Sequence, residues 1–338
     1  YRTVDGHPTY AYSRDGGYHW TEPKYKRYAD GRLIKHPRAA NFVWKCSNGK
    51  YLYWFHNHGG RSYEDRNPVW LCGGVEADSP EGRIIRWTQP EILFYDDDIN
   101  VRMSYPDLVE EDGKIFITET QKEIARVHRI SPRLLTALWN QFENEQVAEE
   151  GLLLDLDTDS LRPEVEMPKL RPFITRDHRR LDMGSKDLRS GFSIDLWVEF
   201  DSLQPGQVIL DNRTPSGVGF CLRTTDTKTV EIVLNDGFTV NSWDCDPGML
   251  SEGVLHHVVV IVDGGPKVIT FVVDGKLCDG GTYRQFGWGR FSPNLRDVNG
   301  GPMLKVAPSL QGKIFNLRVY NRYLLTSEAI GNFRAGLK

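Results

Sequence analysis

The sequence predicts an all-β chain in two parts, a partial β-propeller whose N-terminal blades are absent followed by a β-sandwich, and three observations carry that reading. The first is an internal repeat: Trp20-Thr21-Glu22-Pro23 returns as Trp87-Thr88-Gln89-Pro90, 67 residues later, a period that suits propeller blades or solenoid turns. The second is a succession of short Val, Ile, Phe, Tyr and Trp runs bounded by Asn-Gly, Asp-Gly and Gly-Gly, the pattern of strands joined by tight turns. The third is alternation from Gly191, with Phe192, Ile194, Leu196 and Val198 on one face and Ser193, Asp195, Trp197 and Glu199 on the other. Such a strand buries one face and exposes the other.

A chain of 338 residues exceeds one ordinary core and suits two domains. Its 42 Lys+Arg against 46 Asp+Glu leave a net charge of −4 with no basic stripe, which argues against a nucleic-acid partner. No apolar stretch approaches the roughly 20 residues that span a bilayer, so no membrane partner is expected. Cys46, Cys72, Cys221, Cys245 and Cys278 cannot all pair with one another and none has zinc-site spacing. They read as small buried hydrophobes, with one disulfide, Cys245 to Cys278, left open. No cofactor is expected, with room for a structural calcium.

In the first part, Asn41–Cys46, a Ser47-Asn48-Gly49 turn, Tyr51–Phe55 and Val69–Gly73 read as a meander. After Pro90 the order returns as Pro106–Val109, an Asp112-Gly113 turn, Ile115–Glu119 and Ala125–Ile130. Asn-Gly between apolar runs is a strong hairpin signal because the turn needs positive φ. This amounts to one complete blade flanked by two incomplete ones. A propeller closes with about four to eight blades, so the missing blades are expected N-terminal to Tyr1, as a covalent or cleaved partner. The absence of an initiator Met and of a signal peptide points the same way. Pro132 at N1 then starts a helix from Arg133 to about Asn144 on the propeller rim, with Leu134, Leu135, Leu138, Trp139 and Phe142 at helical spacing. The boundaries expected are 1–150 for the blades, 151–190 for a charged junction with a first strand around Glu164–Leu170, and 191–338 for the sandwich. Further strands are expected at Gln207–Leu210, Gly219–Arg223, Thr229–Leu234, His256–Val262, Val268–Val273 and Lys313–Tyr320.

Ser13-Arg14-Asp15-Gly16-Gly17-Tyr18-His19-Trp20 has Ser, Asp, Gly and Trp at the spacing S-x-D-x-G-x-x-W. The carboxylate and hydroxyl can accept N–H bonds across a tight hairpin, Gly takes φ > 0, and Trp is expected to pack between sheets. The segment resembles the Asp box of sialidases and other glycan-processing propellers. A second copy near Gly82–Trp87 keeps the Trp without the Ser and Asp. Arg102-Met103-Ser104-Tyr105-Pro106-Asp107-Leu108 followed by Ile115-Phe116-Ile117-Thr118-Glu119 resembles the last active-site element of sialidases. That resemblance implies Tyr105 as nucleophile and Glu119, 14 residues on, as the base that accepts its proton. A phenol titrates near 10 and needs such a base, and sialidases are the glycosidases that use Tyr in place of a carboxylate nucleophile. Pro106 and Asp107 depart from the small residues usual there, and Arg102 is not required by the pattern.

Arg102 suits a substrate carboxylate or sulfate, which an arginine holds bidentately; Asp107, Arg61, Arg66 and Trp54 join it as candidate substrate contacts. His56 and His58, at the end of Tyr51–Phe55 and ahead of Gly59-Gly60, fall on one face by alternation. They are candidate acid–base groups because His titrates near neutrality. In the second part, Leu255-His256-His257-Val258 with Phe271-Val272-Val273-Asp274-Gly275-Lys276, then Gly312-Lys313-Ile314 and Arg318-Val319-Tyr320-Asn321-Arg322-Tyr323-Leu324-Leu325, resemble LamG-like domains. Leu255 stands where that family usually has Trp. The resemblance covers about 190–334 and implies a concanavalin A-type jelly roll that binds carbohydrate or serves as scaffold. Together the resemblances imply an extracytoplasmic carbohydrate-active protein, secreted, periplasmic or at the cell surface, with a polysaccharide or glycoconjugate partner. Three functions follow: an exo-acting glycoside hydrolase of sialidase-like type on an acidic or complex glycan, a lyase pairing His56 or His58 with Tyr105, and a glycan-binding protein without catalysis.

Overall fold

Short runs of β-branched and aromatic residues, punctuated by glycines at positive φ, become strands throughout the chain. The structure is a computed structural model, and it describes residues 1–121, 124–173 and 190–337. The described residues form two units: Tyr1–Glu143 with Arg284–Phe286, and the other described residues from Asn144 on.

The first unit opens with β1 (Thr9–Tyr10) paired to β2 (Lys24–Tyr25). Between them the turn at 13–20 is held by Gly17 N–H donating to Ser13 Oγ at 2.7 Å and His19 N–H donating to Asp15 Oδ1 at 2.9 Å. Gly17 has φ +98°, which only a residue without Cβ takes easily. Trp20 was expected inside; it is 58% exposed, its indole N–H bonded to Gly17 O at 3.0 Å, because two short strands offer too little surface to cover it.

Next come β3 (Phe42–Lys45), β4 (Tyr51–Phe55), β5 (Val69–Ala77), β6 (Ile84–Trp87) and β7 (Glu91–Phe94), of which β3 to β6 form an antiparallel meander and β7 pairs with β5. The Gly49 turn, φ +80°, joins β3 to β4. β8 (Ser104–Glu111), β9 (Lys114–Gln121) and β10 (Ile124–Arg129) make a second antiparallel meander. Leu52, Trp54, Val69, Leu71, Phe94, Ile115 and Ile117 share one core with Leu135 and Leu138 of helix α1 (Pro132–Trp139). The helix is shorter than its apolar spacing predicts. Gln141 leaves the helical path to bond the backbone of Gln89, accepting from its N–H at 2.7 Å and donating to its carbonyl at 3.0 Å, so a tertiary contact outweighs local propensity.

The second unit is a sandwich. In chain order it has β11 (Leu152–Asp157), β12 (Glu164–Glu166), β13 (Gly191–Phe200), β14 (Val208–Asp211), β15 (Gly219–Thr224), β16 (Val230–Asn235), β17 (Val240–Asp244), β18 (Leu255–Asp263), β19 (Val268–Val273), β20 (Lys276–Leu277), β21 (Gly289–Arg290), β22 (Met303–Val306), β23 (Gly312–Tyr320) and helix α2 (Thr326–Ala335). One antiparallel sheet runs β11-β23-β13-β18-β19-β20 with β21 also on β19; the other runs β12-β22-β14-β15-β16-β17. Between them lie Phe192, Ile194, Leu196, Val198, Phe220, Leu222, Ile232, Val260 and Phe271, all buried. The strand expected to reach Leu170 stops at Glu166, and the rest of the charged junction, 174–189, lies outside the described residues.

The LamG-like Asp274-Gly275 pair acts as a clip. Asp274 (φ +49°) and Gly275 (φ +70°) turn the chain between β19 and β20, while the Asp274 carboxylate accepts from His256 Nδ1 at 2.7 Å and from the His257 N–H at 2.8 Å. The disulfide between Cys245 and Cys278 does not form. All five cysteines are buried free thiols, and these two accept backbone N–H bonds from Val230 and Asp246 at 3.3 and 3.4 Å.

The expected exposed face of β13 is also corrected: Ser193, Asp195 and Trp197 are all buried. Ser193 is capped by the segment ahead of helix α2, donating to Arg322 O at 3.2 Å and accepting the Leu324 N–H at 2.9 Å, and α2 itself covers the other two. Asn332 donates to Asp195 Oδ2 at 2.7 Å and Phe333 stacks on Trp197 at 5.8 Å between centroids. Asp195 Oδ1 lies 3.2 Å from His257 Nε2 and 3.6 Å from Arg318 Nη1. Burial works to raise the Asp195 pKa, but His257, Asn332 and Arg318 outweigh it and hold the carboxyl below the usual aspartate range.

Candidate functional site

The site is built on the β8–β9 hairpin. Ser104 pairs with Thr120 and Asp107 with Thr118, so Tyr105 and Pro106 together oppose the single residue Glu119, a β-bulge. Tyr105 takes φ +46°, a left-handed conformation rare for an aromatic residue, and its side chain is 63% exposed. Strain of this kind concentrates where structure serves function.

Around Tyr105 the chain gathers charge. Arg66, half-buried, donates through Nη1 to Ser104 Oγ. Arg102 pairs through Nη2 with the Glu64 carboxylate and lies over the Tyr63 ring, 5.3 Å from its centroid. Burial first, and then the positive charge of Arg102, pull the Arg66 pKa below its ordinary value, opposed by Tyr105 and Glu64. The Arg102 and Glu64 side chains each keep 43% of their surface open, so the pair is exposed and an anion can reach it. The arrangement groups two guanidiniums near a solvent-facing phenol.

Glu119 is not the partner of Tyr105. Its carboxylate is fully buried and is taken by Arg126, whose Nη1 donates to Oε1 at 3.1 Å while Nη2 donates to Asp96 Oδ2 at 3.0 Å. His128, packed at a tilt of 33° against Phe94 with centroids 4.1 Å apart, brings Nε2 to 3.7 Å from the same oxygen. The extra residue of the bulge explains the separation: it rotates Tyr105 outward while Glu119 keeps the inward alternation of Ile115 and Ile117. Asp96, Arg126 and His128 were missed by sequence reasoning. The only signal was the cross-strand pairing of Arg126 with Glu119, which needs the β9–β10 register first.

His56 and His58 do not serve as accessible acid–base groups. Each is 1% exposed. His58 Nδ1 accepts from the Gly60 N–H at 3.1 Å and Nε2 bonds the Asp65 carbonyl at 3.0 Å, which defines a neutral ring. Burial lowers its pKa to about 4 and that of His56 well below the usual value. His56 stacks on His36, 5.8 Å between centroids, a third histidine that the motif did not include. Trp54 is likewise no substrate contact, being fully buried in the core. Arg61 and Asp107 are exposed; Asp107 Oδ1 accepts the Leu108 N–H at 2.9 Å. Among the described residues no group of three or more His, Cys, Asp or Glu is arranged to hold a metal ion.

The left-handed backbone at Tyr105 has a measurable cost. Tyr105→Gly is expected to be more stable than Tyr105→Ala by about 1 kcal/mol, since only glycine lacks a Cβ penalty at positive φ. Urea unfolding of the two variants checks this, and equal stabilities would remove the strain from the account.

A profile of the Laminin_G_3 family, described as the concanavalin A-like lectin/glucanases superfamily, matches residues 175–330, a little under half of the chain. The second unit carries a concanavalin A-like jelly-roll domain. No curated protein matches the sequence. Among solved structures, the leech intramolecular trans-sialidase complexed with 2,7-anhydro-Neu5Ac is 17% identical over 56% of this chain, with a TM-score of 0.37. The Ruminococcus gnavus IT-sialidase CBM40 bound to alpha2,3 sialyllactose is 16% identical over 53% of this chain and 98% of its own, with a TM-score of 0.36. The Trypanosoma rangeli sialidase in complex with sialic acid is 11% identical over 99% of this chain and 59% of its own, with a TM-score of 0.36. The chain spans 29% of the leech enzyme's length.

Proposed function

We propose that this protein processes an acidic glycan outside the cytoplasm, with the first unit as the closing part of a sialidase-like propeller and the jelly roll as its glycan-associated appendage. The observation that carries the reading is the exposed Tyr105 on its bulge, flanked by Arg66 and Arg102. The two meanders support the propeller, and so does the 13–20 turn, whose Ser, Asp and Gly make the hydrogen bonds expected of an Asp box.

In this reading Arg66 and Arg102 hold the substrate's anionic group and so fix the sugar ring. Tyr105 Oη attacks the anomeric carbon, the aglycone leaves with a proton from a general acid, and water then releases the sugar. Glu119, tied to Arg126, does not reach the phenol, so proton acceptance and leaving-group protonation fall to groups other than Glu119. The buried, neutral His56 and His58 disfavour the lyase reading.

Product analysis on the full-length protein tests this. Incubation with sialylated and uronate-containing oligosaccharides is expected to release a saturated terminal sugar. An unsaturated, ultraviolet-absorbing uronate product would replace the hydrolase with a lyase, and binding without turnover would leave only glycan recognition.

A further inference from the structure

Just after β4, histidines of the first unit meet a segment remote in sequence. Arg284–Phe286 belongs to this unit although the chain on either side of it belongs to the second. Its backbone is held by Gly59, whose N–H donates to Gln285 O at 3.0 Å, and by Lys35, whose Nζ donates to Arg284 O at 2.8 Å. His58 pairs with Phe286 in an isolated β-bridge, their rings 4.9 Å apart between centroids. The fit is close, since a Cβ on Gly60 would lie 2.6 Å from Gln285 Nε2 and 2.9 Å from His58 Nδ1.

The hydrogen bonds fix the protonation of His58. The Gly60 N–H can only donate, so Nδ1 is an acceptor, and Gln285 Nε2, 3.2 Å away, donates to the same lone pair. The one ring proton is on Nε2 and goes to the Asp65 carbonyl at 3.0 Å. Asp65 takes φ +56°, a left-handed conformation that this bond helps to hold. It lies in the 61–66 loop, which brings Glu64 to Arg102 and Arg66 to Ser104. One neutral ring ties two segments. Positive charge bears on it: Lys35 directly, His36 and His56 once they are protonated, and Arg66 through His56. Of the loop's acids, Glu64 is taken by Arg102 and Asp65 is exposed. His36 repeats the arrangement, Nδ1 accepting the His56 N–H at 3.1 Å and Nε2 donating to Ala39 O at 2.9 Å.

We propose that His58 is an acid-labile pin, a positioning residue whose neutral ring holds the 61–66 loop and Arg284–Phe286 in place and whose protonation releases both. A proton on Nδ1 sets a donor against two donors, and the bonds to Gly60 and Gln285 are lost. Release withdraws Arg66 and Glu64 from the surface around Tyr105. Burial lowers the His58 pKa from its ordinary 6.5 to about 4. The closed form therefore keeps its full advantage above pH 6.5 and loses it progressively as pH falls to about 4, by on the order of a hundredfold in the ratio of closed to open. The pin does not depend on Tyr105 being a nucleophile; only its effect on turnover does.

Hydrogen exchange of the full chain, corrected for the intrinsic rate at each pH, tests the pin without an activity readout, so its failure is distinct from failure of the catalytic reading. Between pH 7 and pH 4.5 the Gly59 and Gly60 amides, which donate to Gln285 O and His58 Nδ1, are expected to lose protection by about tenfold or more while β4 and β5 keep theirs. His58→Asn supplies an amide oxygen near the place of Nδ1 and cannot titrate. It is expected to hold Arg284–Phe286 with no pH dependence over this range, and to raise exchange in residues 63–66 at both pH values. His58→Gln supplies an amide N–H near the place of Nε2 and is expected to do the reverse. Should neither variant fold, the parent alone decides: on acidification, protection at 59–60 must fall before the far-ultraviolet circular dichroism does. Protection unchanged at pH 4.5, protection lost only together with global unfolding, or an acid-dependent Gly60 amide in His58→Asn would overturn the proposal.

Discussion

Tyr105→Phe in the full-length protein is expected to lower kcat on an acidic glycan by on the order of a thousandfold or more while leaving affinity and thermal stability close to those of the parent. The hydroxyl meets the anomeric carbon only on the way to the transition state, so its loss costs rate rather than binding. Stability should not fall, because the side chain stands in solvent and Phe preserves its packing. Arg102→Ala is expected to act in the opposite sense and raise KM, since an arginine contact to an anion contributes on the order of 1.5–3 kcal/mol. Part of that is already offset in the free protein by Glu64, which Arg102 must release before it holds a ligand. Stopped assays over a substrate series separate the two effects, and full turnover by Tyr105→Phe would dismiss it as nucleophile.

The largest effect on stability is expected at Asp195. Asp195→Ala leaves His257 buried without its carboxylate and Arg318 with Asp155 alone, and removing one partner of a buried ionic cluster typically costs about 3–5 kcal/mol. Asp195→Asn should cost less, since its amide oxygen can still accept from Asn332. The pH dependence follows from the sign of the shift. The folded pKa is depressed, so the charged form's contribution is fully present above the unfolded value near 3.9 and is lost as pH falls through the folded value. Urea unfolding of the second unit at neutral pH and below pH 4 should show the advantage of the parent over Asp195→Asn shrinking in acid. An advantage that persists unchanged would assign the loss to packing instead of charge.

Much of the fold was legible in the sequence because it is specified locally. Asn48-Gly49, Asp112-Gly113 and Asp274-Gly275 each provide the positive φ that closes a hairpin, and runs such as Tyr51–Phe55 and Val268–Val273 fold as strands with the bounds their composition suggests. The jelly roll was legible for the same reason. Less regular strands were not: Val240–Asp244 and Met303–Val306 carry weak alternation and depend on the neighbours they pair with.

The site divided differently. Arg66, read from sequence apart from Arg102 and Tyr105, lies near enough to feel the charge of both, while Tyr105 and Glu119, read as a pair, part at a bulge whose single extra residue turns one side chain out and leaves the other in. Likewise Glu119 is claimed by Arg126, the histidines after β4 are enclosed, and the polar face of β13 is covered by a helix more than a hundred residues away. By itself the sequence determined where strands begin, turn and end, because φ preference and alternation are properties of a few adjacent residues. Only the tertiary structure decided which side chains are wet, which charges are paired and which groups can meet a substrate, because burial and pairing are set by residues remote along the chain.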